Sequence, residues 1–214
     1  MMHEVRIDRN LLHPQLDFKL GQLLKKCEKK GMYLIITEGY RTREQQDALY
    51  AKGRTTAGKI VTKARGIDYS SQHQWGIAFD IAIKYDVDGD GKTADDTWNV
   101  EGFKKVAKVA KKLGLGWGGD WTSIVDYPHF YLKKWGSTTK KLKQKYGTPE
   151  RFKKEWTKTV CRKNGLALWK NITKTKKILQ IPEGKKVKVL HTKLWYVKVK
   201  YQGKYGFVAK KYLK

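Results

Sequence analysis

The chain has 214 residues, enough for one moderate domain with a sizeable core and a smaller second one. Its 47 Lys and Arg against 20 Asp and Glu leave a formal net charge of +27, which predicts a polyanionic partner: nucleic acid, an anionic membrane or the charged polymers of a cell wall. Two cysteines without a Cys-x-x-Cys neighbour argue against a disulfide framework, and no stretch approaches the roughly 20 apolar residues that span a bilayer.

The first residues, Met1-Met2-His3-Glu4-Val5-Arg6, lack the apolar run of a secretion signal, so the protein is expected to accumulate in a cytoplasm. From about Pro14 to Lys30, Leu16, Leu20, Leu23, Leu24 and Cys27 form one helical stripe with lysines opposite, and Gly31 stops the helix. Met32 to Thr37 reads as a short apolar strand. Thr42 followed by Gln45 makes a capping box, which predicts a helix to about Lys52 and sets Arg41 at a strand-to-helix junction.

Ile77 to Ile83 alternates large apolar residues with Ala78, Asp80 and Ala82, the pattern of a strand with one face in the core and one carboxylate on the other. His73 lies seven residues before Asp80, roughly 23 Å away in a fully extended chain. The two side chains can meet only if the chain turns between them, and Gly76 is where it can turn. After that strand, Asp86-Val87-Asp88-Gly89-Asp90-Gly91 opens like an EF-hand calcium loop, with Asp at positions 1, 3 and 5 and Gly at 6. Position 12 is Thr97 rather than Glu, although Asp95 and Asp96 are close enough to substitute. The competing reading is an acidic, turn-rich loop.

Glu101 to Leu113 forms an amphipathic helix with Phe103, Val106, Ala107, Ala110 and Leu113 inward, ended by Gly114. In Trp117-Gly118-Gly119-Asp120-Trp121 the tryptophans are expected to pack a cleft wall, and Asp120 either orients a metal-bound histidine or caps the turn. Asp126-Tyr127-Pro128-His129 reads as extended because of its proline, and Phe130-Tyr131-Leu132 continues as a strand. Two imidazoles and two carboxylates are what a hydrolytic zinc site needs. His73, Asp80 and His129 can fill three positions of such a site, with water in the fourth, which leaves Asp126 as a base for the water. A serine nucleophile at Ser71 is disfavoured, since no Gly-x-Ser-x-Gly elbow surrounds it.

Ser71-x-His73-x-x-Gly76-x-Ala78-x-Asp80 followed by Asp126-x-Pro128-His129-Phe130 resembles the zinc peptidases that cut D-amino-acid-containing cell-wall peptides. That group includes D-alanyl-D-alanine carboxypeptidases of the VanY type and phage L-alanyl-D-glutamate endopeptidases. Gly39-Tyr40-Arg41-Thr42 and the Trp117–Trp121 block are similar to the endolysin branch. The resemblance implies zinc on His73, Asp80 and His129, Asp126 as catalytic base, Arg41 as the oxyanion-stabilising guanidinium, and Ser71 bonding substrate or a zinc ligand.

From Lys133 to about Lys158 the chain is lysine-rich and less periodic, and reads as a basic linker with one or two helical turns. Beyond it, Lys186–Leu190, Trp195–Tyr201 and Tyr205–Val208 are short beta-rich runs separated by turns, which imply a small barrel. The run from Trp195 to Leu213 resembles bacterial Src-homology-3-like domains that bind cell-wall peptides. Residues 151–214 hold 20 Lys and Arg against Glu155 and Glu183, which suits an anionic surface, wall or nucleic acid; the peptidase-like motif upstream favours the wall.

The expected fold is α+β: a zinc peptidase domain with a central antiparallel sheet and flanking helices over 1–135, a basic linker over 136–158, and an all-β Src-homology-3-like barrel over 159–214. The expected activity is hydrolysis of the L-alanyl-D-glutamate bond in peptidoglycan stem peptides, with zinc as cofactor and calcium at Asp86, Asp88 and Asp90 as a structural or regulatory addition. D-alanyl-D-alanine carboxypeptidase activity on the same zinc is the second reading. A non-catalytic wall- or nucleic-acid-binding protein is the alternative of another class. Expected partners are peptidoglycan and its anionic polymers, with no nucleic acid, no membrane span and a monomeric chain. Release from the cytoplasm to the wall would need a holin-type, membrane-permeabilising partner.

Overall fold

The structure is a computed structural model that describes residues 2–214, and it divides into two compact units. The first comprises residues up to Leu12 together with Leu16–Pro149; the second comprises His13–Gln15 with Glu150–Lys214. The chain is α+β, with five strands in one sheet and six in the other.

The first sheet contains β1 (Glu4–Val5), β2 (Leu34–Glu38), β3 (Ala78–Ile83), β4 (Leu115–Trp117) and β5 (His129–Leu132), in the order β1-β2-β3-β5-β4. All neighbours are antiparallel except β1 and β2, which pair in parallel as Glu4↔Ile35 and Val5↔Ile36. The expectation of an antiparallel sheet is thus corrected at one edge. The reason is the connection: helix α1 (Pro14–Glu28) lies between these strands, and a parallel pair requires such a crossover.

α1 buries Leu16, Leu20, Leu23 and Cys27 completely, as its stripe predicts. Helix α2 (Arg43–Ala51) starts at Thr42 through the full capping box with Gln45. Helix α3 (Val100–Lys112) is capped by the Asn99 side chain, which accepts from the Glu101 and Gly102 N–H groups. Its buried face is Phe103, Val106, Ala107 and Ala110. Gly102 lets this helix approach β3, because a Cβ there would meet Ile83 Cγ1 at 3.0 Å. β3 is buried on both faces apart from Asp80, so its small residues also line packed interior.

Within 136–158 the chain forms α4 (Lys140–Tyr146), α5 (Pro149–Lys154) and strand β6 (Thr157–Thr159). Leu142, Phe152 and Trp156 are buried, so these lysine-rich turns carry apolar anchors. The second sheet adds β7 (Leu166–Trp169), β8 (Lys177–Ile181), β9 (Lys186–Thr192), β10 (Tyr196–Tyr201) and β11 (Lys204–Ala209), all antiparallel, in the order β6-β9-β10-β11-β7-β8. Its core is Val160, Leu166, Leu168, Ile181, Val187, Val197, Val199 and Val208. Among the described residues β6 and β8 do not pair with each other, so strand pairing does not close the expected barrel. β6 is a three-residue Thr-Lys-Thr strand whose end pairs with the C-terminal residues, since the Thr159 N–H donates to the Lys214 carbonyl at 2.8 Å and the Lys214 N–H to the Thr159 carbonyl at 3.0 Å.

Candidate metal centre

His73 sits on a short 3-10 turn, Gln72–Trp75, which ends at Gly76 in the left-handed conformation (φ 62°). That turn folds the chain back, so His73 meets Asp80 of the adjoining strand. Asp80 pairs in register with His129 across β3 and β5, which brings in the third side chain. His73 Nε2 stands 3.2 Å from His129 Nδ1, and Asp80 Oδ1 lies 2.9 Å from His129 Nδ1 and 3.4 Å from His73 Nε2. The three converge within 4.8 Å of one another, with both histidines buried.

The far side of each imidazole fixes which nitrogen is free. His73 Nδ1 is 2.7 Å from the Gly39 carbonyl, which can only accept, so Nδ1 carries the proton and Nε2 points its lone pair inward. His129 Nε2 is 2.8 Å from Gln72 Oε1, and the Gln72 amide is oriented because its Nε2 donates to the Gly136 carbonyl at 3.0 Å. His129 therefore donates from Nε2 and offers Nδ1 inward. Two imidazole lone pairs and a carboxylate oxygen facing one point repel unless a cation sits among them. This is the donor set of a three-ligand zinc site. Burial opposes the charged form of His73, but the Asp80 carboxylate outweighs it and raises its pKa. Burial likewise opposes the charge on Asp80, yet His73 and His129 hold it well below the usual carboxylate range.

Asp126 is carried on the loop before β5. Its N–H donates to the Gly118 carbonyl at 3.1 Å, and a Cβ at Gly118 would fall 2.5 Å from the Asp126 carbonyl oxygen and 3.1 Å from His129 Cβ. Only glycine allows that approach. Burial and then the Asp80 charge raise the pKa of Asp126, while His129, His73 and Arg41 partly counter them. Arg41 donates from Nη1 to Gln46 Oε1 at 2.7 Å, and its Nη2 pairs with Glu38 at 3.2 Å. Its Nε is buried with no protein partner. Arg41, Ser71, His73, Asp80, Asp126 and His129 all line one cleft of about 720 Å³.

Trp121 stands 5.1 Å from the His129 ring, centroid to centroid, and forms part of the cleft wall, whereas Trp117 is buried and donates to the Tyr127 carbonyl. Asp120 pairs with Lys111 at 2.7 Å, so Gln72 and not Asp120 meets the outer nitrogen of His129. Sequence reasoning passed over Gln72 and the wholly buried Gln46, whose only signal was a polar side chain beside a motif residue.

In the acidic loop Asp86, Asp88 and Asp96 come within 4.8 Å of one another. Asp90 does not join them: its Oδ1 accepts from the Lys92 N–H and its Oδ2 pairs with Lys92 Nζ. Asp96 is brought in by the 3-10 turn Asp95–Trp98, where it is buried and accepts from the Val87 N–H at 2.6 Å.

Residues 65–132 match the family model described as D-alanyl-D-alanine carboxypeptidase. The peptidoglycan L-alanyl-D-glutamate endopeptidase of Bacillus subtilis is 39% identical over 129 residues, covering 56% of this chain and 73% of that protein. The L-alanyl-D-glutamate peptidase of a Listeria phage is 36% identical over 121 residues, covering 55% of this chain and 37% of the phage protein. A solved L-Ala D-Glu endopeptidase from Serratia marcescens aligns over 58% of this chain and 83% of its own, at 19% identity and a TM-score of 0.43.

Proposed function

Since the chain belongs to the metallopeptidase family of the Bacillus subtilis peptidoglycan L-alanyl-D-glutamate endopeptidase, we propose that it hydrolyses the L-alanyl-D-glutamate bond of peptidoglycan stem peptides. The observation that carries this reading is the convergence of His73, Asp80 and His129 beside Asp126 and Arg41 in one cleft. The relatives' activity selects the bond.

His73 Nε2, Asp80 and His129 Nδ1 would hold zinc, which supplies electrophilic polarisation of a carbonyl and acidification of water. Asp126 takes the proton of the attacking water and returns it to the leaving amine; its raised pKa makes it a better base than an ordinary surface carboxylate. Arg41 holds its guanidinium at the cleft through Gln46 and Glu38, where its fixed positive charge would stabilise the oxygen that gains charge at the scissile carbon. Ser71 stands on the cleft wall within reach of a peptide substrate.

Residues 159–214 serve, in this reading, as a Src-homology-3-like wall-binding module. The tip between β9 and β10, where Leu194 and Trp195 are 85% and 78% exposed, offers apolar contact. The acidic loop takes calcium through Asp86, Asp88 and Asp96, with a structural role. The protein acts on the wall as a phage-type lytic enzyme.

The deciding experiment incubates the protein with purified Gram-positive peptidoglycan and identifies new termini by mass spectrometry, with and without a chelator. New amino-terminal D-glutamate that disappears on chelation and returns with zinc is expected. Released D-alanine would move the assignment to the carboxypeptidase reaction, and intact wall with tight binding would leave only a binding protein.

A further inference from the structure

A second concavity of about 630 Å³ lies in the first unit, lined by the end of α1 and one face of α3. Its charged lining is Lys26 in the last turn of α1, Lys29 and Lys30 just beyond, and Lys105, Lys108 and Lys112 on α3. The three α3 lysines recur at three- and four-residue spacing and so share one face. Met32 and Val109, both buried, line it between them. Like charges one helical turn apart repel, so such a cluster is costly without a compensating anion.

The compensation present elsewhere is missing here. On the same helix, Lys104 pairs with Glu101 at 2.6 Å and Lys111 with Asp120 at 2.7 Å. Among the described residues none of the six lining lysines makes an ion pair with a carboxylate; Lys105 reaches only the Val87 carbonyl. Glu101 feels Lys105 and Lys108 at longer range, but its hydrogen bond goes to Lys104. Exposed lysines are ordinarily a solvated surface. Six in one concavity, with Lys104 and Lys111 paired and themselves not, leave an uncompensated cationic groove.

We propose that this groove binds a phosphodiester-linked anionic polymer of the cell wall and holds the enzyme beside its substrate, a role that rests on the peptidase reading for its setting. Nucleic acid shares the phosphodiester chemistry but fits less well. The lining has no aromatic ring on which a base could stack and no arginine to fork onto a base edge or phosphate. Flexible ammonium groups around an aliphatic floor suit a flexible polyol-phosphate chain, with attraction that weakens with salt.

The test compares the full chain with Lys105→Gln/Lys108→Gln/Lys112→Gln and with a charge-matched control, Lys59→Gln/Lys140→Gln/Lys141→Gln. Binding to immobilised poly(glycerol phosphate) is measured over a salt series, with a 20-base-pair DNA duplex in parallel and circular dichroism to establish folding. The groove variant should bind poly(glycerol phosphate) at least tenfold more weakly, and the control within about twofold of the parent. Equal weakening of both variants, or no binding by the parent, would overturn the groove as diffuse charge. Loss confined to DNA would overturn it in favour of nucleic acid. Cleavage of walls stripped of their phosphate polymer is read separately. Its absence in the parent would sink the peptidase reading while leaving the polymer measurement intact.

Discussion

Two buried glutamines hold the two halves of the proposed chemistry, and they do so separately. Gln72 accepts from His129 Nε2 and so points Nδ1 at Asp80, whereas Gln46 accepts from Arg41 Nη1 and gives its own amide to the Ala64 carbonyl at 2.8 Å. Gln72→Leu keeps the volume but removes the acceptor, freeing the His129 ring to turn. It is expected to weaken zinc 10- to 100-fold by chelator competition, the usual cost of losing an outer partner of a metal-bound histidine, with turnover at saturating zinc changed only a few-fold. Gln46→Leu should do the opposite, lowering kcat/KM on a soluble stem peptide at least tenfold with zinc affinity unchanged. If both variants lost metal equally, the separation argued from the geometry would be wrong.

At the scale of the element, the acidic loop and α3 are tied through neighbouring side chains. Asp96 accepts from the Val87 N–H and from Asn99 Nδ2, and Asn99 in turn caps α3. Asn99→Ala should therefore cost about 1 kcal/mol in chemical denaturation, and Asp96→Ala about 1–3 kcal/mol, because it removes a buried carboxylate that accepts two hydrogen bonds. Asp88 is a different case, since it is exposed and accepts from the exposed Asp90 N–H at 3.2 Å. Asp88→Ala should leave metal-free stability unchanged and abolish any rise in Tm on adding calcium; a parent Tm indifferent to millimolar calcium would remove the calcium reading.

What the sequence showed follows the same logic. The Thr42–Gln45 box, the α1 stripe and the Gly76 turn are local patterns, and each was legible. The parallel β1 edge was not, because two residues, Glu4 and Val5, carry no period. Nor was the choice of Asp96 over Asp90, since it depends on which carboxylate the 3-10 turn buries. Three metal-type side chains could be named from their chemistry together with the resemblance of their motifs to the zinc peptidases. The partners that fix their ring nitrogens come from Gly39, Gln72 and Gly136, which only the folded chain brings together.

For the whole molecule the relevant quantity is the charge of +27, which acts beyond the cleft. Hydrolysis depends on groups shielded inside the site, where both histidines are buried and Arg41 is nearly so. The proposed attachment to an anionic wall would depend on exposed lysines, whose attraction is screened over about 10 Å at 0.1 M salt and over about 3 Å at 1 M. Raising salt from 0.05 to 0.5 M should therefore separate the two. kcat/KM on a small soluble stem peptide is expected to stay within about twofold, while the rate of wall solubilisation and the amount of protein retained on walls fall together by tenfold or more. Parallel losses on peptide and wall would place the salt-sensitive charges in the cleft itself, and a wall rate indifferent to salt would mean that the excess lysines do not carry the attachment.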